Sequence, residues 1–269
     1  MKKYFLVLIA VLLFGCGGGG GSDDGADLSN NACSILGLPT RQYIPHIVNG
    51  TACGALKDSP VVRVLLLDAL GRPEGFCSGV MLTRSAVLTA AHCFAGLPSY
   101  AAVSYGDASV SNVVNASKVV IHPEFTVNDS AAFNDVAVIK LAKAINLPTL
   151  PILVSTAPKA NDVISIFGYG TDENGEFDGA DLESGEMRIS SVTENHISAR
   201  FNGEGSNTCT GDSGGPAIVK GVAGAALVGI TSTGTQNNCL EGDTTMFSNL
   251  QNSTILGFLI AQAPGLVTY

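Results

Sequence analysis

The sequence predicts an all-β protein, a barrel or sandwich closed by a single C-terminal helix. Apolar runs are short, Gly, Asn, Asp or Pro separates them, and only one stretch carries a helical period. The first run, 61–67, reads Val-Val-Arg-Val-Leu-Leu-Leu. Next come 80–82 (Val-Met-Leu), 86–88 (Ala-Val-Leu) and 101–105 (Ala-Ala-Val-Ser-Tyr). Residues 118–121 (Lys-Val-Val-Ile) and 136–141 (Val-Ala-Val-Ile-Lys-Leu) follow, then 163–167 (Val-Ile-Ser-Ile-Phe), 217–219 (Ala-Ile-Val) and 226–230 (Ala-Leu-Val-Gly-Ile). Each is rich in β-branched or aromatic residues. The helix falls at 252–263, with Ile255, Leu256, Leu259 and Ile260 on one face and Pro264-Gly265 as a stop. No repeat of solenoid length is visible.

Composition narrows the function. Among 269 residues, 23 Asp and Glu outnumber 14 Lys and Arg, for a net charge of −9. A general nucleic-acid binder needs clustered positive charge, so that class is excluded. Apolar residues reach 46% and charged residues only 14%, which excludes disorder over the whole chain and allows a sizeable core. Seven acids between 172 and 186 (Asp172, Glu173, Glu176, Asp178, Asp181, Glu183 and Glu186) occur with no base and match no calcium-loop spacing. They read as a solvated loop.

The N-terminus reads as a leader. Met1-Lys2-Lys3 precedes an apolar run at 4–14, shorter than the roughly 20 residues a membrane helix needs. Leu13-Phe14-Gly15-Cys16 resembles the bacterial lipobox, although Phe14 is bulky for its place. That resemblance implies a signal peptide at 1–15 and lipid on Cys16, with the protein held at the bacterial cell envelope, on the outer membrane or periplasmic face, or released. Gly17 to Gly21 and the acidic stretch to Asp27 read as a flexible tether. With Cys16 assigned to lipid, six of the seven Cys remain, and an exported chain should pair them.

Three segments carry chemistry. A neutral serine hydroxyl attacks carbonyls poorly unless a His takes its proton and a carboxylate orients that His. His92 follows Leu88-Thr89-Ala90-Ala91, and Asp135 opens the run Val136-Ala137-Val138-Ile139. Ser213 lies within Cys209-Thr210-Gly211-Asp212-Ser213-Gly214-Gly215-Pro216, whose glycines allow a turn that exposes Ser213. In the order His, Asp, Ser, these segments resemble the chymotrypsin/trypsin-like serine peptidase family over about residues 47–269. The resemblance implies two six-stranded β-barrels with the active site between them and a C-terminal helix. It also implies catalytic His92, Asp135 and Ser213, an oxyanion hole from the Gly211 and Ser213 amides, and protein or peptide substrates.

Further positions extend the resemblance. Cys77 with Cys93 and Cys209 with Cys239 match two family disulfides, which leaves Cys33 and Cys53 to each other. Gly168-Tyr169-Gly170 and Ser232-Thr233-Gly234 resemble family motifs that carry Trp where this chain has Tyr169 and Thr233. Ser232, Thr233 and Gly234 are thereby substrate-binding candidates. Ile47-Val48-Asn49-Gly50 resembles the family's mature start, which implies that cleavage after His46 frees an amino group to pair with Asp212, and that 16–46 is a pro-segment. His46 departs from the usual Arg or Lys. Cleavage after the nearby Arg41 would expose Gln42, which cannot stand in for Ile47.

The pocket base, by the same resemblance, is Asn207 followed by Thr208, so weaker and less exclusive cleavage after Lys or Arg is expected, with polar or medium-sized residues accepted. Glu241 and Asp243, just beyond Cys239, read as exposed loop acids, the alternative being that they lend negative potential at the pocket rim. The family's calcium loop would hold only Asp107 here, so no metal and no other cofactor is expected. The chain is expected to act as a monomer. Gly211-Asp212-Ser213-Gly214-Gly215 also fits the α/β-hydrolase elbow, but that fold places its His after the Ser, and the last His here is His196. A subtilisin-type order needs an α/β scaffold. The competing reading from another class is a weakly catalytic or non-catalytic peptidase homologue acting as a surface binding protein.

Overall fold

The computed structural model describes residues 27–41, 47–96, 100–106, 112–172, 181–221, 224–236 and 238–269. The leader, Cys16, the Gly tract, His46, Asp107 and 173–180 lie outside the described residues. Among those described, no helix is long and apolar enough to cross a membrane.

After β1 (Thr51–Cys53), the strands β2 (Val61–Leu67), β3 (Pro73–Thr83), β4 (Ala86–Thr89), β5 (Tyr100–Tyr105), β6 (Asn112–Ile121) and β9 (Ala137–Leu141) close the first antiparallel barrel in the order β2-β3-β4-β9-β6-β5. Between β6 and β9, the short strands β7 (Thr126–Val127) and β8 (Ala132–Phe133) pair with each other. Val62, Val64, Met81, Val87, Val103 and Ile139 fill this barrel's interior.

The second barrel comprises β10 (Val163–Gly168), β11 (Leu182–Val192), β12 (His196–Arg200), β13 (Pro216–Gly221), β14 (Gly224–Gly234) and β15 (Thr244–Asn249). They run β11-β10-β13-β14-β15-β12, and β11–β12 pairing closes the ring, with β1 added outside β11. Ile164, Ile166, Val228 and Phe247 fill this interior. The sequence therefore predicts the fold class correctly, as two six-stranded barrels with a C-terminal helix.

A third apolar cluster joins the barrels. Val61, Leu82, Leu88 and Val138 from the first barrel meet Phe167, Leu227 and Ile230 from the second. Each such fully buried side chain contributes about 1.5–3 kcal/mol, so the barrels are fixed to one another by the same physics that fills each one. The helix α1 (Ser253–Gln262) starts where the Asn252 side chain accepts hydrogen bonds from the Thr254 and Ile255 amides, and it buries Ile255 and Leu259. Ile260, expected on the same face, is exposed. Five residues beyond Ile255, it sits outside the stripe that an i, i+4 pair defines.

The acidic stretch departs from its expected role. Glu183 and Glu186 belong to β11 and Asp181 directly precedes it, and together they grip the N-terminal segment. Arg41 pairs with Asp181, the Ile47 amide donates to Glu183, and the Ser29 amide donates to Glu186 over 2.8 Å. The Ala32 amide donates to Ser184 Oγ, and a disulfide joins Cys33 to Cys53. Asp172, Asp181 and Glu183 are buried. This part of the stretch is a binding edge for residues of 27–41 and for Ile47, not a solvated loop.

Candidate active site

His92 stands in a short 3-10 turn (His92–Phe94) just after β4, and the Cys77–Cys93 disulfide ties that turn to β3. Asp135 stands one residue before Val136 at the mouth of β9, after Asn134 in a left-handed conformation. Ser213 lies in the loop before β13, closed by the Cys209–Cys239 disulfide. The fold brings the three together. Asp135 Oδ1 accepts from the His92 amide at 2.8 Å, Asp135 Oδ2 lies 2.7 Å from His92 Nδ1, and His92 Nε2 lies 2.8 Å from Ser213 Oγ.

Asp135 is fully buried. Burial alone would push its carboxyl up, but the hydrogen bond and charge of His92, the Ser232 hydroxyl and the His92 amide together hold it below the usual carboxylate range. Ser232 Oγ donates to Asp135 Oδ2 over 2.5 Å. The Ser232 hydroxyl is thus committed to this carboxylate, and the residue also lines the cavity beside Ser213.

The Ser213 loop is held by the other barrel. On β3, the Ser78 amide donates to the Ser213 carbonyl at 2.8 Å, and Ser78 Oγ donates to the Gly211 carbonyl at 2.9 Å. Gly211 has φ +97°, and a Cβ there would lie 2.3 Å from the Phe76 ring, so only glycine fits. Among the described residues the Gly211 and Ser213 amides donate to no acceptor, whereas those of Asp212, Gly214 and Gly215 do. Two free amides thus flank Ser213 Oγ.

Between them Asp212 turns the opposite way and is buried. Among the described residues its carboxylate accepts only from the Gly170 and Cys209 amides, at 2.8 Å each. Burial pushes its carboxyl up to about 7, with those two bonds pulling the other way. Gly168 and Gly170 make room for it, since a Cβ on Gly170 would lie 2.5 Å from its Cγ. Tyr169 between them is buried against the first barrel and donates to the Val61 carbonyl, so it lies outside the cleft. In the single chain Ile47 and Val48 are buried, and Val48 bridges to Asn207.

A cavity of about 250 Å³ opens beside Ser213, lined among others by Thr208, Thr231, Ser232, Thr233, Gly234 and Asp243. Thr231 Oγ1 and Thr233 Oγ1 are buried with no hydrogen-bond partner among the described residues. Asn207 is not part of the lining. It is fully buried behind it, with Nδ2 donating to the Cys239 carbonyl and Asp243 Oδ2, and Oδ1 accepting from Thr245. Asn207, expected at the pocket base, thus spends its amide on two residues of the cavity wall. Glu241 is exposed as expected, but Asp243 is buried and faces the cavity. Ser78 went unnoticed in the sequence and Asp243 was read as an exposed loop acid, since their partners are distant in the chain. No group of three His, Cys, Asp or Glu placed to hold a metal occurs among the described residues.

A family model described as Trypsin matches residues 48–254. Trypsin II-P29 of Gallus gallus is 32% identical over 209 residues, covering 70% of this chain and 78% of the chicken protein. Chymotrypsin-2 of Vespa crabro is 27% identical over 222 residues, 76% of this chain and 94% of the hornet protein. Vitamin K-dependent protein C of Mus musculus is 30% identical over 220 residues, 71% of this chain but only 46% of the mouse protein.

Proposed function

The chain belongs to the trypsin family of serine proteases, and from that premise we propose that it is an endopeptidase working through an acyl-enzyme on Ser213. One observation carries this reading: the unbroken run of hydrogen bonds from Asp135 through His92 to Ser213 Oγ, beside the two free amides. With Nδ1–H donating to Asp135, His92 Nε2 accepts the Ser213 proton as Oγ attacks the peptide carbonyl. The Gly211 and Ser213 amides stabilise the oxyanion. His92 then gives its proton to the departing amine, and a water repeats the sequence to release the acid. Asp135 holds the imidazole in the correct tautomer throughout.

The test is fluorophosphonate labelling and peptide hydrolysis by the processed protein, both lost in Ser213→Ala. No labelling of the processed wild type would favour the non-catalytic binding protein instead.

The same reading makes 16–46 a pro-segment and 47–269 the peptidase domain. Cleavage before Ile47 would create an ammonium, and a buried carboxylate with no cation partner, such as Asp212, is costly until one arrives. The Cys33–Cys53 disulfide and the contacts with β11 support retention of the pro-segment after the cut. N-terminal sequencing of active protein should find a chain starting at Ile47, still joined to the pro-segment without reductant. Full activity with no such chain overturns this. Three disulfides suit export to an oxidising compartment, and the lipobox resemblance at Cys16 would hold the exported protein on a bacterial envelope membrane.

A further inference from the structure

The activation step proposed above uses Asp212, yet the Ile47 nitrogen already rests on a different carboxylate. In the uncut chain the Ile47 amide donates to Glu183. Both residues are buried, Ile47 at 0% and Glu183 at 1% exposure. Glu183 stands on β11 directly opposite Ala52 of β1 and Gly168 of β10. Opposite residues of antiparallel strands point to the same face, with their Cβ positions about 4.5–5.5 Å apart. A Cβ on Gly168 would fall 2.0 Å from Asp212 Oδ1. Asp212 thus occupies the space that a side chain at 168 would take, which makes it the cross-strand neighbour of Glu183. Two buried carboxylates share one face, and the nitrogen of residue 47 is seated on one of them.

The other groups around this spot bring no free cation among the described residues. Ala52 and Gly168 are uncharged, Val48 bridges to the neutral Asn207, and Ile47 itself belongs to the apolar interior of the second barrel. Asp181, two residues before Glu183, is paired with Arg41. Carboxylates this close repel unless a positive charge comes between them. An amide carries none, whereas an ammonium carries one together with three N–H donors. We propose that Glu183 is a second anchor for the terminus made at Ile47: it seats the nitrogen before the cut and shares the ammonium with Asp212 after it. The inference rests on the serine-protease and activation readings above. Hydrolysis of the His46–Ile47 bond by an activating endopeptidase adds one water, leaving a carboxylate on His46 and an ammonium on Ile47. Activation then changes the charge on a nitrogen that is already in place. Glu183 touches no substrate, so it is a positioning residue. Each carboxylate favours the protonated amine, so two keep it charged to a higher pH than one would.

The test is the pH profile of kcat/KM for processed wild type and processed Glu183→Gln. Losing one of the two negative charges should move the alkaline limb down by about one pH unit, a loss of about fivefold at the wild-type midpoint. The acid limb, which reports His92, should stay in place. An alkaline limb that stays or rises in the variant overturns the proposal. Should Glu183→Gln not fold, Glu183→Asp decides, since it keeps the charge but draws it back by one methylene. A smaller downward move is then expected, and an unmoved limb overturns the proposal. N-terminal sequencing and fluorophosphonate labelling keep the failures apart. Unlabelled protein sinks the serine-protease reading, and active protein without a chain starting at Ile47 sinks the activation reading. A labelled chain starting at Ile47 whose alkaline limb ignores Glu183 sinks only this inference.

Discussion

Asp135 and Asp212 are both buried carboxylates close to Ser213, and they lie on opposite sides of the ordinary range. Asp135 faces an imidazole, a hydroxyl and an amide, and its carboxyl is held low. Asp212 faces two backbone amides, and its carboxyl is pushed up to about 7. Burial is the largest influence on each, so what separates them is whether a group able to carry positive charge stands within hydrogen-bond reach. Asp135 is complete in the single chain. Asp212 has no such partner among the described residues, and the proposed activation step would supply one.

The largest expected effect tests the completed carboxylate. Asp135→Asn keeps the shape but leaves His92 in the wrong tautomer, and kcat should fall by about 10⁴ with the fold intact by circular dichroism. A loss under tenfold would mean that His92 does not depend on Asp135.

Next comes the waiting carboxylate. Its folded pKa is raised, so the folded single chain binds that proton more tightly than the unfolded chain does. Stability should therefore fall as pH rises from about 4 to about 7, by on the order of 4 kcal/mol, and stay low above that. Melting temperatures of the uncut chain across this range, set against Asp212→Asn, isolate the effect. After cleavage the new ammonium should reverse the sign, and the same pH slope in the cut protein would refute the pairing with Ile47.

The smallest effect concerns Ser232. Its hydroxyl is one of the groups holding Asp135 down, so Ser232→Ala should cost about fivefold in kcat/KM and raise the Asp135 titration read by carboxyl NMR. An unmoved carboxyl titration would assign the low carboxyl to His92 alone.

The difference between the carboxylates also marks what was legible in the sequence. His92, Asp135 and Ser213 sit in short local motifs, because strand ends and a glycine turn must present them, and strands such as β2 and β9 announce themselves as apolar runs. β11 hid behind its acids. Asp181, Glu183 and Glu186 look solvated until Arg41 and the Ile47 and Ser29 amides arrive from more than a hundred residues away. Asp243 was misread for the same reason. Its donors are mostly backbone amides, which every residue but proline carries, so no spacing of side chains records them.

Ser78 links the barrels at one point. From β3 it holds the carbonyls of Gly211 and Ser213, and its hydroxyl accepts from the Tyr169 amide over 2.9 Å. The two free amides beside Ser213 are thus registered to a strand of the opposite barrel. Neither barrel can loosen without displacing these two amides, so the two halves should melt in one cooperative transition, and the acyl group of the proposed intermediate on Ser213 should brace both halves at once.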